Sequence, residues 1–291
     1  MLVNQVSKTT GLTKKAIEYY TIQGLISPSI LDNGYRDYSK NDIETLTKIS
    51  VLRKLDMSID EIKSILSDST NTALQVISVK KELNFQRETV KKALLNKLSS
   101  GNFYSEIALE LRMIENSRTI IEKILEAFPG NYGRFICLHF ARFLNEPIRT
   151  ESQQTAYKKI ISFLDNIPSI NLPDDLHEYL IEGTKHIGTE QIKDTIESTK
   201  KYIENPDDFL FTHKETLEQY LMYKQSDEYK NSLDCKIIEI MKEFNNANGY
   251  YGVFIPALKQ LSNSYSEYYR HLEIANKKLL AQYPDISKMS N

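Results

Sequence analysis

Lys14 and Lys15, set directly behind Thr13, are followed by Tyr19 and Tyr20 and then by Tyr35 and Arg36. The chemistry open to such a set is contact with anions. The cations can neutralise phosphate oxygens or reach acceptor edges, and the phenols can donate hydrogen bonds to phosphate. Lys8 and Lys40 would extend a basic patch, whereas Glu18, Asp32 and Asp37 lie close in sequence and oppose it. Bond-making chemistry has no comparable set. The chain has no Gly-rich phosphate loop, no Gly-x-Ser-x-Gly elbow and no His-Glu-x-x-His pair. His139, His177, His186, His213 and His271 are dispersed, and His177-Glu178 beside Asp174-Asp175 reads as a solvated helix start. No enzyme activity, cofactor or metal site is therefore expected.

The basic set needs a scaffold, and the surrounding residues supply one. Val3 and Val6 lie one helical turn apart, Thr10-Gly11 breaks the run, and Thr13 can cap a new helix through its hydroxyl. Ala16, Ile17 and Tyr20 form the inward stripe of that second helix, which leaves Lys14 and Lys15 on its outward face. This is a helix-turn-helix, and its second helix could meet a major groove. Pro28 to Tyr38 reads as a hairpin or wing turned by Asp32-Asn33-Gly34. Ser39 then caps a helix carrying Ile43, Leu46, Ile49 and Leu52, and Ser58-Ile59-Asp60-Glu61 is a capping box opening another with Ile62, Ile65 and Leu66.

This order, with Gly11-Leu12-Thr13, Tyr19-Tyr20, Gly24-Leu25-Ile26, Gly34-Tyr35-Arg36-Asp37-Tyr38 and Met57-Ser58-Ile59-Asp60-Glu61-Ile62, resembles the winged DNA-binding domain of the MerR family of transcription regulators. The resemblance covers the first quarter of the chain. It implies a two-fold homodimer that grips double-stranded promoter DNA, with Thr13, Lys14, Lys15, Tyr19 and Tyr20 on or beside the recognition helix and Tyr35 and Arg36 on the wing. It also implies that an effector makes the dimer bend and untwist the promoter so that RNA polymerase engages both elements. One residue departs from the family pattern. Where many members carry Arg just before the two tyrosines this chain has Glu18, free to pair with Lys14 or to accept from a cytosine amino group.

Behind this domain, Val76, Val79, Leu83, Gln86, Val90 and Ala93 recur at spacings of three and four. The spacing fits the seam of a coiled coil, and equally a helix packed on its own chain; the family resemblance implies the former, an antiparallel dimerisation helix. Ser99-Ser100-Gly101-Asn102 interrupts it and marks an expected domain boundary. Beyond that point the chain reads as helical. Ile107 to Leu125 stripe one long helix ending at Pro129-Gly130, and short helices follow around Ala156 to Leu164, Asp174 to Lys185 and Thr189 to Ile203. Thr212-His213-Lys214-Glu215 reads as a capping box, and Cys235 to Phe244 and Ile255 to Tyr283 as further amphipathic runs, ended by Pro284. The expected fold class is mainly all-α. It comprises a winged helix-turn-helix domain over 1–70, a coiled-coil dimerisation helix over 71–99 and a helical-bundle effector-sensing domain over 103–291.

That bundle contains a candidate internal repeat. Phe128-Pro129-Gly130-Asn131-Tyr132-Gly133-Arg134-Phe135-Ile136 is echoed, displaced by 119 residues, in Ala247-Asn248-Gly249-Tyr250-Tyr251-Gly252-Val253-Phe254-Ile255. Two readings stand for Tyr132, Phe135, Tyr251 and Phe254. They plug the core, or they line a cavity between the copies that holds an apolar or cationic ligand.

A formal net charge of −2 over 291 residues excludes a general nucleic-acid coat, so DNA binding must come from a local patch. With 41% hydrophobic and 26% charged residues the composition is that of a soluble protein with a sizeable core. No apolar run is long enough to span a bilayer, no leader is evident, and the expected location is the cytoplasm. Cys137 and Cys235 read as buried thiols, and Leu94 to Glu106, where metal-sensing relatives of the resembled family place cysteines, contains none. The expected function is a sequence-specific regulator answering a small organic effector. The alternative is a DNA-binding protein whose helical region is a protein-interaction module.

Overall fold

The computed structural model describes residues 1–128 and 130–286. It divides into two compact units, Met1–Ile77 and the chain from Ser78 onward.

In the first unit, α1 (Val3–Thr10) ends at Gly11, whose left-handed φ of 70° lets its N–H return to the Ser7 carbonyl at 3.0 Å. α2 (Lys14–Ile22) starts as expected, with the Thr13 hydroxyl accepting from the Ala16 N–H at 3.1 Å. The wing is a two-stranded antiparallel ribbon, β1 (Ser29–Ile30) and β2 (Arg36–Asp37), in which Ser29 faces Asp37 and Ile30 faces Arg36. Asn33 Oδ1 accepts from the Tyr35 N–H, and Gly34 takes a positive φ of 79° that other residues rarely adopt. α3 (Lys40–Lys54) and α4 (Ile59–Ser67) both open on the expected capping Ser, Ser39 and Ser58. Val6, Ile17, Tyr20, Ile26, Leu46, Ile49 and Ile62 close over one core, joined by Ile77.

Asp42 ties this unit together. It is buried, and its carboxylate accepts from the Ser39 N–H at 2.8 Å, the Ser39 hydroxyl at 2.7 Å and the Ser27 N–H at 3.3 Å, linking the α3 cap to the chain before the wing. Asp42→Ala strips three donors of a charged acceptor and is expected to cost roughly 2 to 4 kcal/mol. Thermal unfolding of the full chain followed by circular dichroism checks this; an unchanged first transition would refute it.

α5 (Thr72–Ser99) is one unbroken helix. The expected break at Ser99 to Asn102 is present, with Gly101 at φ 90°, but the second compact unit begins earlier, at Ser78. The reason lies in the seam. Val79 and Leu83 are buried in the core of their own chain, so the first half of the coiled-coil face is already covered. Farther along, Phe85, Val90 and Leu95 are exposed, and Leu94 packs on Ile107 and Ile114 of α6 (Tyr104–Ala127).

The remaining elements are α7 (Gly130–Ala141), α8 (Glu151–Asn166), α9 (Asp174–Thr184), α10 (Thr189–Glu204), α11 (Pro206–Thr212), α12 (Lys214–Gln225), α13 (Asp227–Lys230), α14 (Leu233–Ala247), a π-helical turn (Tyr250–Phe254), α15 (Ile255–Leu261) and α16 (Asn263–Gln282). Pro129, expected to end α6, lies outside the described residues, as do 287–291 at the end of the expected sensing domain. One expectation needs correction. Thr212 caps nothing, because it is the last residue of α11 and α12 follows through His213 with no side-chain cap. The run from Ile255 to Tyr283 is two helices, because Ser262 turns extended, at φ −123° and ψ 120°, and caps α16 through its hydroxyl. The main core of this unit is built from Ile120, Ile124, Phe128, Ile136, Phe140, Ile160, Phe254 and Leu258.

Candidate functional site

On the first unit, Lys14, Lys15 and Tyr19 are exposed on α2, and Tyr35 and Arg36 are exposed on the wing. Thr13 is also exposed, with its hydroxyl oxygen engaged as the cap. Tyr20 departs from expectation as a DNA contact. At 6% exposure its ring belongs to the core, because it shares the inward stripe with Ile17 and packs edge-on to Tyr19 at 5.6 Å. Within the chain Glu18 pairs with the wing and not with Lys14. Its Oε1 lies 3.7 Å from Arg36 Nη1, an exposed ion pair that bridges α2 to the wing. The pair supplies geometry: it brings the wing cation alongside the outward face of α2.

Residues 1–69 match the family described as MerR HTH family regulatory protein. They are a MerR-family helix-turn-helix domain.

Over 81 residues, 28% of this chain, the sequence is 38% identical to the HTH-type transcriptional regulator CueR of Yersinia pestis and covers 58% of that protein. Over 68 residues, 23% of this chain, it is 40% identical to the heavy metal-dependent transcription regulator 2 of Rhizobium meliloti and covers 46% of it. The CueR of Salmonella typhimurium is 26% identical over 132 residues, which are 45% of this chain and 83% of that protein. The chain thus spans about half the length of the first two relatives, and the strong part of the likeness is the MerR domain.

Outside the MerR domain the geometry centres on the two copies of the repeated motif. Both begin on a left-handed glycine, Gly130 at φ 73° and Gly249 at φ 81°, and they meet around Phe128, whose ring packs edge-on to Tyr132 at 5.7 Å and Tyr250 at 6.4 Å. A cleft of about 390 Å³ opens beside them. Tyr132, Phe135 and Tyr251 line it. Phe254 does not. It is fully buried against Phe140 at 5.4 Å and Phe163 at 4.9 Å, because its copy winds as a π turn in which the Phe254 N–H reaches the Gly249 carbonyl at 3.2 Å.

The sequence reading missed the opposite wall. Tyr265, Tyr268, Tyr269 and Leu272 line the cleft from α16, at the one-face spacing of a helix that could have flagged them. The carboxylate of Glu146 holds that helix start, accepting from the Ser264 N–H at 2.7 Å and the Asn263 N–H at 3.0 Å. Burial alone would raise the Glu146 pKa; donors from Ser264, Asn263 and Ser262 outweigh it and hold the group below its usual value. His139 and Asn245 complete the lining. The imidazole stacks on Phe135 at 6.3 Å and meets Tyr268 edge-on at 5.3 Å, and burial, helped by the Arg142 charge, pushes its pKa down to about 4.

Sulfur chemistry is muted. Cys137 is fully buried and burial pushes its thiol up to about 12, so it carries no thiolate at neutral pH. Among the described residues no group of three or more His, Cys, Asp or Glu is placed to hold a metal ion, and no helix is long and apolar enough to cross a membrane.

Proposed function

We propose that this protein is a dimeric, sequence-specific transcription regulator that grips promoter DNA through its MerR domain and senses a small organic effector through the unit from Ser78 onward. The observation that carries the reading is the family match over 1–69, with Lys14, Lys15, Tyr19, Tyr35 and Arg36 all solvent-exposed on that domain's second helix and wing. The relatives' names are those of transcription regulators, one of them heavy metal-dependent by name, and the matches to these two cover only the first quarter or so of this chain. An organic effector suits this chain better than a metal because its cysteines are a buried pair of single thiols and its largest aromatic lining surrounds an open cleft. Dimerisation is supported by Gln86, Val90 and Ala93, the second half of the α5 seam, which lies exposed where a second copy would cover it. The effector acts through its differential affinity for two dimer conformations that hold the promoter differently, and RNA polymerase reads the difference.

The test is footprinting on the DNA flanking the protein's own gene, followed by titration with the Lys14→Ala/Lys15→Ala variant. Each lysine lost from a phosphate should lower the slope of log K against log salt by about 1 per protomer, with affinity down on the order of a hundredfold. Sequence-specific binding that is untouched by the double substitution would sink the assignment of this surface.

A second reading has one observation in its favour. An apolar groove of about 270 Å³ runs between α10, α11 and α16, lined by Ile203, Phe209, Leu210, Leu272 and Leu279, and such a groove fits a protein-interaction module. Operator twist that changes with a small molecule favours sensing; twist that changes only with a protein partner favours the module.

A further inference from the structure

The aromatic cleft of the second unit has a chemistry specific enough to name its ligand class. Its walls are mainly aromatic rings with a few aliphatic side chains, and among the described residues no Asp, Glu, Lys or Arg lines it. A cationic ligand would meet no carboxylate in the wall and would be repelled by cations already seated on it. The protein's own cations already take two of the rings: the Arg142 guanidinium lies 5.2 Å from the Tyr268 centroid, and Lys259 Nζ lies 4.1 Å over Tyr269. An anionic ligand would need a cationic side chain in the wall, and none is there.

One polar group in the wall is incomplete. Asn245 is 6% exposed, its Nδ2 donates to the Tyr132 hydroxyl at 3.2 Å, and its Oδ1 is buried without any partner. A buried acceptor left unpaired is costly, and a small turn of the Asn245 amide toward the cleft, met by a ligand N–H or O–H, would remove that cost. Tyr132, Tyr250, Tyr265 and Tyr268 all line the cleft, so the surface it offers a ligand is largely aromatic and suits a ring system.

We propose that this cleft binds a neutral, planar aromatic molecule carrying an N–H or O–H donor, which hydrogen-bonds Asn245 Oδ1 while its rings stack among the cleft tyrosines. The proposal rests on the sensing role proposed above and supplies its ligand class.

The probe is indole, compared with 1-methylindole, phenyltrimethylammonium and indole-3-acetate, added to the full chain. Because the chain contains no Trp, the shift of indole emission, excited beyond the tyrosine band, reports binding without tryptophan background. The expected result is a saturable blue shift with indole, about tenfold weaker binding of 1-methylindole, and loss of that preference in Asn245→Ala. Should Asn245→Ala fail to fold, Tyr251→Ala at the exposed mouth should weaken indole several-fold. Absence of a saturable shift, equal binding of indole and its N-methyl form, or tighter binding of either charged probe overturns the proposal. So does indole affinity unchanged in Tyr251→Ala. Operator binding is measured on the same sample without probe: if it persists while indole fails, only the ligand class falls, and if operator binding fails, the DNA reading falls instead.

Discussion

Gly133→Ala is expected to destabilise the second unit by at least about 3 kcal/mol, lowering its melting temperature by roughly 10 °C. A Cβ on Gly133 would sit 1.5 Å from the carbonyl oxygen of Phe128 and 2.6 Å from its carbonyl carbon. Those are backbone atoms of the turn between α6 and α7, and no side-chain rotation relieves them. Phe128 is itself fully buried at the centre of the core, so the turn cannot swing outward without exposing its ring. The control lies in the same motif. Gly252 occupies the equivalent position in the second copy, yet a Cβ there meets nothing within 4 Å. Gly252→Ala should be neutral or stabilising by about 0.5 kcal/mol through lost freedom of the unfolded chain. Equal melting temperatures for the two variants, read by near-ultraviolet circular dichroism of the tyrosines, would refute the close approach at Gly133.

Lowering the pH from 7.5 to 5.0 should weaken the second unit by about 2 kcal/mol, with His139 responsible. Its ordinary pKa is 6.5, and in the folded protein burial first, and then the Arg142 charge, bring it down to about 4. Between those values the unfolded chain binds a proton that the folded chain refuses, so stability rises with pH across this window. The contribution is intact above about pH 6.5, is lost progressively as pH falls, and levels off below about pH 4, for a total of roughly 3 kcal/mol. Glu146, whose folded pKa is lowered, loses its contribution only below its ordinary value of 4.5, so the interval from 5 to 7.5 isolates the histidine. His139→Phe keeps the ring among Phe135, Phe140, Phe143 and Tyr268 and should flatten the slope. A slope that survives this substitution would assign the effect elsewhere.

The parts of the fold that were legible in the sequence are those set by neighbours along the chain. Thr13, Ser39 and Ser58 cap the helices they were expected to cap because a hydroxyl at that position satisfies an N–H three residues ahead, whatever the rest of the molecule does. The hairpin closed on Asp32-Asn33-Gly34 for the same local reason. Periodicity along α5, by contrast, marks an apolar face without saying what covers it. Val79 and Leu83 proved to face their own bundle while Val90 faces solvent. Tyr20 was both an inward residue and a candidate DNA contact, and only burial decides between them. The cleft was half legible. The repeated motif located Tyr132, Phe135 and Tyr251, but the tyrosines of α16 and the unpaired Asn245 oxygen enter through contacts more than a hundred residues apart, which no local pattern encodes.

The π turn at Tyr250–Phe254 has a consequence for how the two copies of the motif can change over time. Phe135 and Phe254 hold the same place in the repeat, but the first is 36% exposed at the cleft and the second is fully enclosed. A replacement at Phe254 must fit the packing of the core, whereas a replacement at Phe135 alters only the wall of the cleft. A change of helix type in one of two like segments therefore gives one pattern two duties: one phenylalanine holds the core together, and the other borders open space.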